Sequence, residues 1–91
     1  MGKKRSRSDI IEDMLKAIMH KGGSIKPTHL MYKSNMSHKQ MQLYLKDLIA
    51  SKLVEILPDG DYERVHLTDK GAMYIAKLQE IKDFEHTFGL T

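Results

Sequence analysis

The sequence predicts a mainly α-helical domain with a small β-hairpin and an extended C-terminal helix. Three observations support this prediction: apolar residues recur at helical spacing in several segments, capping residues precede those segments, and β-prone runs surround one proline–glycine turn. The 91 residues suffice for one small domain. The chain contains no cysteine, and its apolar runs are far shorter than the roughly 20 residues of a membrane span, so we expect a cytoplasmic protein.

The first predicted helix follows a basic N-terminal arm. Residues 1–7 contain four basic residues and no acidic residue, and they have nothing to bury, so we expect them to be flexible. The helix is expected to begin near Ser8 or Asp9, where Asp9 and Glu12 would form a capping box, and to end at Gly22-Gly23. Its apolar stripe consists of Ile10, Ile11, Met14, Leu15, Ile18 and Met19.

A short strand and a short helix lead to the best specified segment of the chain. Ser24-Ile25 predicts the strand, and Pro27 suits the first position of a helix over residues 27–33. Ser37 and Gln40 predict a capping box, so a further helix begins at Ser37 and continues to about residue 52. Its residues on the side that faces the core are Met41, Tyr44, Leu45, Leu48 and Ile49.

The outward side of this third helix is cationic and carries an amide. Two helices joined by only three residues must cross at a steep angle, as in a helix-turn-helix arrangement, although an unrelated helical hairpin has a similar pattern. The outward residues are Lys39, Gln42, Leu43, Lys46 and Asp47.

The hydrophobic period changes after the third helix. Residues 54–57 and 62–67 predict two strands around the turn Pro58-Asp59-Gly60-Asp61. Thr68 is expected to cap a last helix that extends to about residue 85, and Gly71 would allow close packing near its start. The residues expected to face the first helix are Ala72, Ile75 and Leu78.

The last helix has more apolar surface than one small core requires. We therefore predict a homodimer through residues 68–91, with residues 8–67 forming the rest of the domain. The alternative is that these apolar residues continue the core of a single chain. The expected dimer interface consists of Tyr74, Leu78, Ile81, Phe84 and Phe88.

Positive charge is concentrated in two parts of the chain. The net charge is +3, but residues 22–53 alone carry five lysines against Asp47, and the N-terminal arm is entirely basic. This distribution favours a polyanion such as nucleic acid, and a solvated basic face is the alternative.

The five histidines do not form a ligand pattern, because they are scattered without a helical pair four residues apart and without cysteine. No nucleophile motif, phosphate-binding glycine loop or paired-acid arrangement occurs either. We therefore expect no metal site, no cofactor and no enzymatic activity. Helical phase is expected to turn His38 partly toward the core, which favours a packing or phosphate contact.

The predicted order of elements is that of a winged helix-turn-helix domain. The chain also resembles a family of small archaeal winged-helix DNA-binding proteins, which includes chromatin-associated proteins and transcriptional regulators. The resemblance is carried by HLMYKSNMSHKQMQLYLKDLIASKLVE and by HLTDKGAMYI, where the family has Leu-Thr-x-Lys-Gly. It implies double-stranded DNA as the partner, a third helix in the major groove, a hairpin wing along the backbone and a dimer through the C-terminal helix.

The resemblance also implies which residues contact DNA. Lysine can contact guanine edges or phosphates, glutamine can pair with adenine, and a serine at a helix N-terminus suits a phosphate. The expected DNA-binding residues of the helix-turn-helix are Lys33, Asn35, Ser37, His38, Lys39, Gln42 and Lys46.

The wing departs from this expectation, because Asp59, Asp61 and Glu63 surround Arg64, its only strongly basic residue. Either the wing stands off the DNA with Arg64 alone reaching it, or it contacts a protein. A winged-helix module for protein interaction is thus the alternative function. The basic arm is a second expected contact, along the backbone or in a minor groove, through Lys3, Lys4, Arg5 and Arg7.

Overall fold

The computed structural model describes residues 5–89 and contains four helices and three short strands. Within these residues, no helix is long and apolar enough to cross a membrane. The elements in chain order are α1 (Arg7–His20), β1 (Ser24–Ile25), α2 (Pro27–Lys33), α3 (His38–Ala50), β2 (Val54–Asp59), β3 (Tyr62–Leu67) and α4 (Asp69–Thr87).

Helix α1 begins earlier than the sequence pattern predicted. Its N-cap is Ser6, whose hydroxyl accepts a hydrogen bond from the backbone N–H of Asp9 at 3.1 Å, while the Asp9 carboxylate accepts one from the Ser6 backbone. The second of these bonds is the main cause that lowers the pKa of Asp9. The predicted capping box of Asp9 and Glu12 is therefore wrong, because Asp9 occupies the third helical position and Glu12 is buried.

The connection between α2 and α3 is a tight turn centred on Asn35. Asn35 has φ +53°, a left-handed conformation that asparagine tolerates better than most residues. Its N–H donates to the carbonyl of Tyr32, and that of Met36 donates to the carbonyl of Met31. These two bonds form the Schellman arrangement that ends a helix. Asn35 thus has a conformational role in placing α3 directly after α2.

The predicted capping box at the start of α3 is confirmed. The Ser37 hydroxyl accepts from the backbone N–H of Gln40 at 3.2 Å, and the Gln40 side chain accepts from the Ser37 backbone at 3.3 Å. Met41, Leu45 and Leu48 are buried as expected, and Tyr44 is half-buried. The prediction that Ile49 faces the core is wrong, because it lies at the edge of the apolar stripe and is 40% exposed.

The three strands form one antiparallel sheet in the order β1-β3-β2. Strand β1 pairs Ile25 with Val65, and β2 pairs Ile56 with the same residue. Gly60 has φ +64° in the two-residue loop of the hairpin, a position that favours glycine. The buried residues of the sheet join those of α1, α2, α3 and α4 in one core: Ile10, Met14, Leu15, Ile18, Ile25, Leu30, Met41, Leu45, Leu48, Leu53, Val54, Val65 and Ile75. Met19, the last residue of the apolar stripe predicted for the first helix, is 39% exposed.

Helix α4 is joined closely to the end of α3 and β2. The Thr68 hydroxyl accepts from the Gly71 N–H at 3.0 Å, and its one proton is shared between the carbonyls of Lys52 at 2.7 Å and Leu53 at 2.9 Å. Gly71 is buried, and a Cβ at this position would overlap with the Leu53 carbonyl oxygen. The predicted cap and the predicted close approach of Gly71 are both confirmed. Ala72, which was expected to face α1, is exposed because its position turns it away from the core.

A buried carboxylate connects α1 with α4. Glu12 is 6% exposed and accepts from the Lys16 Nζ at 2.8 Å and from the Lys82 Nζ at 2.7 Å. The hydrogen bonds from Lys16 and then Lys82 lower the pKa of Glu12. The same bond to Glu12 raises the pKa of Lys82. Ion pairing therefore supplements apolar packing where α1 meets α4.

We expect the Glu12 carboxylate to stabilise the fold at neutral pH and to lose this effect in acid. Because the folded-state pKa of Glu12 lies below its ordinary value of 4.5, the contribution is present above that pH and disappears as pH falls through the lower, folded value. Glu12→Gln should lower the free energy of unfolding by about 1–2 kcal/mol at pH 7. Urea denaturation at pH 7 and pH 3 measures this difference.

The matched control for that experiment is Glu80→Gln, because Glu80 pairs with Lys77 in an exposed position. Its effect on stability should be within about 0.5 kcal/mol at both pH values. An equal loss of stability for Glu12→Gln at pH 7 and at pH 3 would contradict the role given to the Glu12 carboxylate.

Candidate nucleic-acid interface

The outward side of α3 presents a row of exposed polar and basic side chains. Lys39 and Lys46 are seven residues apart, two helical turns, so they project from the same side of α3. Gln42 is exposed at the flank of this row, and Leu43 lies between the two lysines. Together with His38 and Ile49, these residues line a shallow depression along the helix. We call the exposed set of His38, Lys39, Gln42, Leu43 and Lys46 the α3 face.

His38 belongs to this face and not to the core. Its ring is exposed, and its Nε2 atom lies 3.4 Å from the amide nitrogen of Gln42, one helical turn further along. The expectation that His38 turns partly toward the core is wrong, because as the first helical residue it precedes the apolar stripe that starts at Met41. His38 and Gln42 are therefore brought together as a pair of exposed polar side chains.

Asp47, the acidic residue of α3, is neutralised by the N-terminal end of α1. The Arg7 guanidinium lies 3.1 Å from the Asp47 carboxylate, and both side chains remain partly exposed. This pair offsets the negative charge beside Lys46 without removing a lysine from the face. Arg7 therefore lies next to the α3 face, as part of the folded domain.

Arg5 connects the start of the chain to the turn between α2 and α3. Its guanidinium donates to the carbonyls of Ser34 at 2.7 Å and Asn35 at 2.9 Å, and it pairs with the Asp13 carboxylate at 3.0 Å. Residues 5–7 were predicted to belong to a flexible arm, and this is wrong because these contacts hold Arg5 while α1 begins at Arg7. Lys3 and Lys4 lie outside the described residues.

The remaining predicted contacts of the helix-turn-helix lie around the same turn. Lys33 ends α2 with its side chain exposed. The Asn35 carbonyl and the Ser37 hydroxyl are already used, by Arg5 and by the Gln40 N–H respectively. The turn thus brings Lys33, Asn35 and Ser37 close to the start of the α3 face, but two of them have structural bonds of their own.

Arg64 is not directed toward the tip of the hairpin. Its Nε donates to the Ser24 hydroxyl at 2.7 Å and its Nη2 to the Ser24 carbonyl at 3.1 Å, across the sheet on β1. Its other terminal nitrogen lies 3.8 Å from Asp59. The exposed charged side chains of the tip itself, Asp61 and Glu63, are acidic, and the exposed Tyr62 ring between them has the Lys26 ammonium 5.3 Å from its centroid. Arg64 therefore connects the hairpin to β1. It does not extend from the wing, as a side chain predicted to reach DNA would.

Comparison with known proteins agrees with this geometry. The winged helix-turn-helix family matches residues 4–86. The chain belongs to this family. In the described part of the chain, no group of three or more histidine or acidic side chains is arranged to hold a metal ion.

Solved structures show the same winged-helix fold at low sequence identity. Sso10a-2, a DNA-binding protein from Sulfolobus solfataricus, has a TM-score of 0.77 and 19% identity over 92% of this chain and 85% of its own. F93 from STIV, a winged-helix DNA-binding protein, has a TM-score of 0.73 and 20% identity over 90% and 92% of the two chains. The regulator MepR from Staphylococcus aureus has a TM-score of 0.77 and 16% identity over 88% of this chain and 62% of its own. No curated protein sequence matches the chain.

The α4 helix of this winged-helix domain carries an apolar stripe that its own core does not cover. Ile81, Phe84 and Phe88 are 55–64% exposed, and the two phenylalanine rings are 4.7 Å apart between centroids. Met73, 62% exposed, lies on the same side three turns before Phe84 and was missed, although its spacing of eleven residues from Phe84 could have identified it. Tyr74 packs partly against the core of its own chain and Leu78 is half-buried, so both lie at the border of this stripe.

Proposed function

We propose that this protein binds double-stranded DNA by placing the α3 face in the major groove. The observation that carries the proposal is the exposure of Lys39, Gln42 and Lys46 on one helix whose acidic residue is paired with an arginine. The solved DNA-binding neighbours with this fold support it, since an α-helix fits the major groove of B-form DNA. The function is binding, with no catalytic step.

The chemistry of each side chain fits a place in such a complex. Lys39 and Lys46 supply cations to phosphates or guanine edges, and Gln42 can make a two-fold contact with adenine. The Arg7 side chain is 64% exposed and lies beside α3, so it is near enough to contact the DNA phosphates next to the groove. Lys33 at the end of α2 is a further proposed contact to the DNA phosphates. Lys3 and Lys4 are proposed to contact phosphates farther along the DNA.

We further propose that the active species is a homodimer joined through α4. The exposed stripe of Met73, Ile81, Phe84 and Phe88 supports this, because a small protein in water rarely leaves such a series on one helix side uncovered. A two-fold dimer would present two α3 faces to successive major grooves, with half-sites about 34 Å apart. Such a protein would act as a transcriptional regulator or a chromatin-associated protein in the cytoplasm.

The acidic wing favours a second function, a protein-interaction module that does not bind DNA. Asp59, Asp61 and Glu63 are exposed while Arg64 is tied to Ser24, so the wing tip would repel phosphates. In the DNA-binding proposal, the wing therefore stands off the backbone and leaves affinity to α3 and the N-terminal residues.

Salt dependence of binding to a mixed-sequence duplex distinguishes the two functions. DNA binding predicts an association constant that falls steeply as salt is raised, because phosphate neutralisation releases counterions. Lys39→Ala and Lys46→Ala should each reduce the slope of log K against log salt by about one unit for each α3 face bound, which is about two units for the proposed dimer. Fluorescence anisotropy at four salt concentrations provides the measurement.

Lys77→Ala is the control for these variants, since Lys77 lies on α4, outside the α3 face, and pairs with Glu80. Because Lys77 is one turn after Met73, on the side of α4 proposed to form the dimer, sedimentation equilibrium must show that this variant keeps the wild-type mass. It removes the same charge and should leave the slope unchanged. If the wild-type protein shows no binding even at about 50 mM salt, the DNA-binding proposal fails and the interaction module is favoured. An equal effect of all three substitutions would indicate only a diffuse charge effect.

A further inference from the structure

Leu43 occupies the centre of the α3 face and has no apolar partner there that covers it. It is 60% exposed, one turn after Lys39 and one turn before Lys46, and it follows Gln42 directly. Single exposed leucines are common on protein surfaces. This one is distinguished by its position, because it is an apolar side chain between two cations on the side proposed to face DNA.

We propose that Leu43 contacts the C5-methyl group of thymine and so gives this protein a preference for A·T pairs at the centre of each α3 contact. This inference rests on the proposed function. The thymine methyl is the apolar group that a base pair presents in the major groove, and it distinguishes thymine there from the other three bases. A leucine in the middle of an inserted helix meets base edges, whereas lysines on either side reach out to phosphates.

The flanking charges favour DNA over an apolar protein surface as the occupant. Docking Leu43 against an apolar partner would also remove Lys39 and Lys46 from water without a counter-charge, which is unfavourable. In the major groove both lysines have phosphates within reach while Leu43 is removed from water. Gln42, exposed beside Leu43, adds a group that can pair with adenine in the same or the adjacent base pair.

Replacement of thymine by deoxyuridine tests this contact, because it removes the methyl group and keeps the charge and the hydrogen-bonding groups. The probes are two 24-bp alternating A·T duplexes, one with thymine and one with deoxyuridine. Wild-type protein should bind the thymine duplex more tightly by about fourfold for each methyl group covered. Leu43→Ala should show a smaller preference for the thymine duplex, because its shorter side chain covers less of the methyl group, with an unchanged salt slope because no charge is lost.

Leu57→Ala is the matched control, since Leu57 is an exposed leucine of β2, in the wing that is proposed to stand off the DNA. This variant should keep the preference for thymine. Circular dichroism checks that Leu43→Ala folds, as expected for a residue with most of its side chain in water.

The possible results separate this inference from the proposed function. Equal, salt-dependent binding of both duplexes by the wild type overturns the role of Leu43 and leaves DNA binding intact. A thymine preference that is as large in Leu43→Ala as in the wild type also overturns that role. Absence of binding to either duplex at low salt overturns both proposals, and a protein partner for the α3 face would then be indicated.

Discussion

Gly71→Ala is expected to lower the free energy of unfolding by about 3 kcal/mol, although alanine favours a helix more than glycine does. The Cβ of alanine would overlap with the Leu53 carbonyl oxygen and would crowd the Leu67 side chain. The same carbonyl accepts a hydrogen bond from the backbone N–H of Thr68 at 3.1 Å, and the Thr68 hydroxyl lies between it and the Lys52 carbonyl. Moving α4 away to relieve the overlap would weaken these bonds, so the substitution cannot be accommodated locally.

Thermal or urea denaturation followed by circular dichroism, at one protein concentration, measures this effect. Ala72→Gly is the control at the next position, where the side chain is exposed. Helix propensity alone predicts that Ala72→Gly costs up to about 1 kcal/mol and that Gly71→Ala gains a similar amount. A Gly71→Ala protein as stable as the wild type, or more stable, would show that α4 does not approach Leu53 so closely.

Much of this fold was predictable because its signals are local. The capping box of Ser37 and Gln40, the cap at Thr68 and the proline at the start of α2 each act within about one helical turn. The short hairpin follows in the same way from β-prone residues around Gly60, although β2 continues through Pro58 to Asp59. Such features form from neighbouring residues, so the local sequence indicates them directly.

The start of the chain was misjudged for the opposite reason. Ser6 with Asp9 and Asp9 with Glu12 both satisfy the spacing of a capping box. The choice between them depends on Glu12 being buried against Lys82, 70 residues later in the chain. The anchoring of Arg5 depends likewise on carbonyls 29 and 30 residues away. Contacts over such separations leave no periodic trace in the sequence.

The candidate site was predictable to the extent that helical phase sets it. Phase placed Lys39, Gln42 and Lys46 outward, and the structure agrees. Phase could not show that Arg64 bonds to Ser24 or that Arg7 pairs with Asp47, because both contacts join different elements. The sequence therefore shows how many charged residues lie in the wing and at the start of α1. It could not show which partners their side chains contact.

Replacing Ile81 and Phe84 together by glutamine is expected to convert the proposed dimer into a folded monomer. Both side chains are more than half exposed in a single chain, so their loss should leave the core unchanged. Glutamine is neutral and favours helices, which keeps charge and α4 intact. Sedimentation equilibrium at tens of micromolar should give twice the chain mass for the wild type and the chain mass for the double variant.

The same variant should lose about 10²-fold or more in apparent affinity for a duplex that spans two half-sites, because linked binding of two α3 faces is lost. Its salt slope should fall to about half the wild-type value, since each molecule would then neutralise half as many phosphates. Ala72→Gln, on the opposite exposed side of α4, should change neither mass nor affinity. A wild-type protein that sediments as a monomer at this concentration would remove the dimer from the proposal. The protein would then bind DNA through one α3 face per complex, with the lower affinity expected of a single contact.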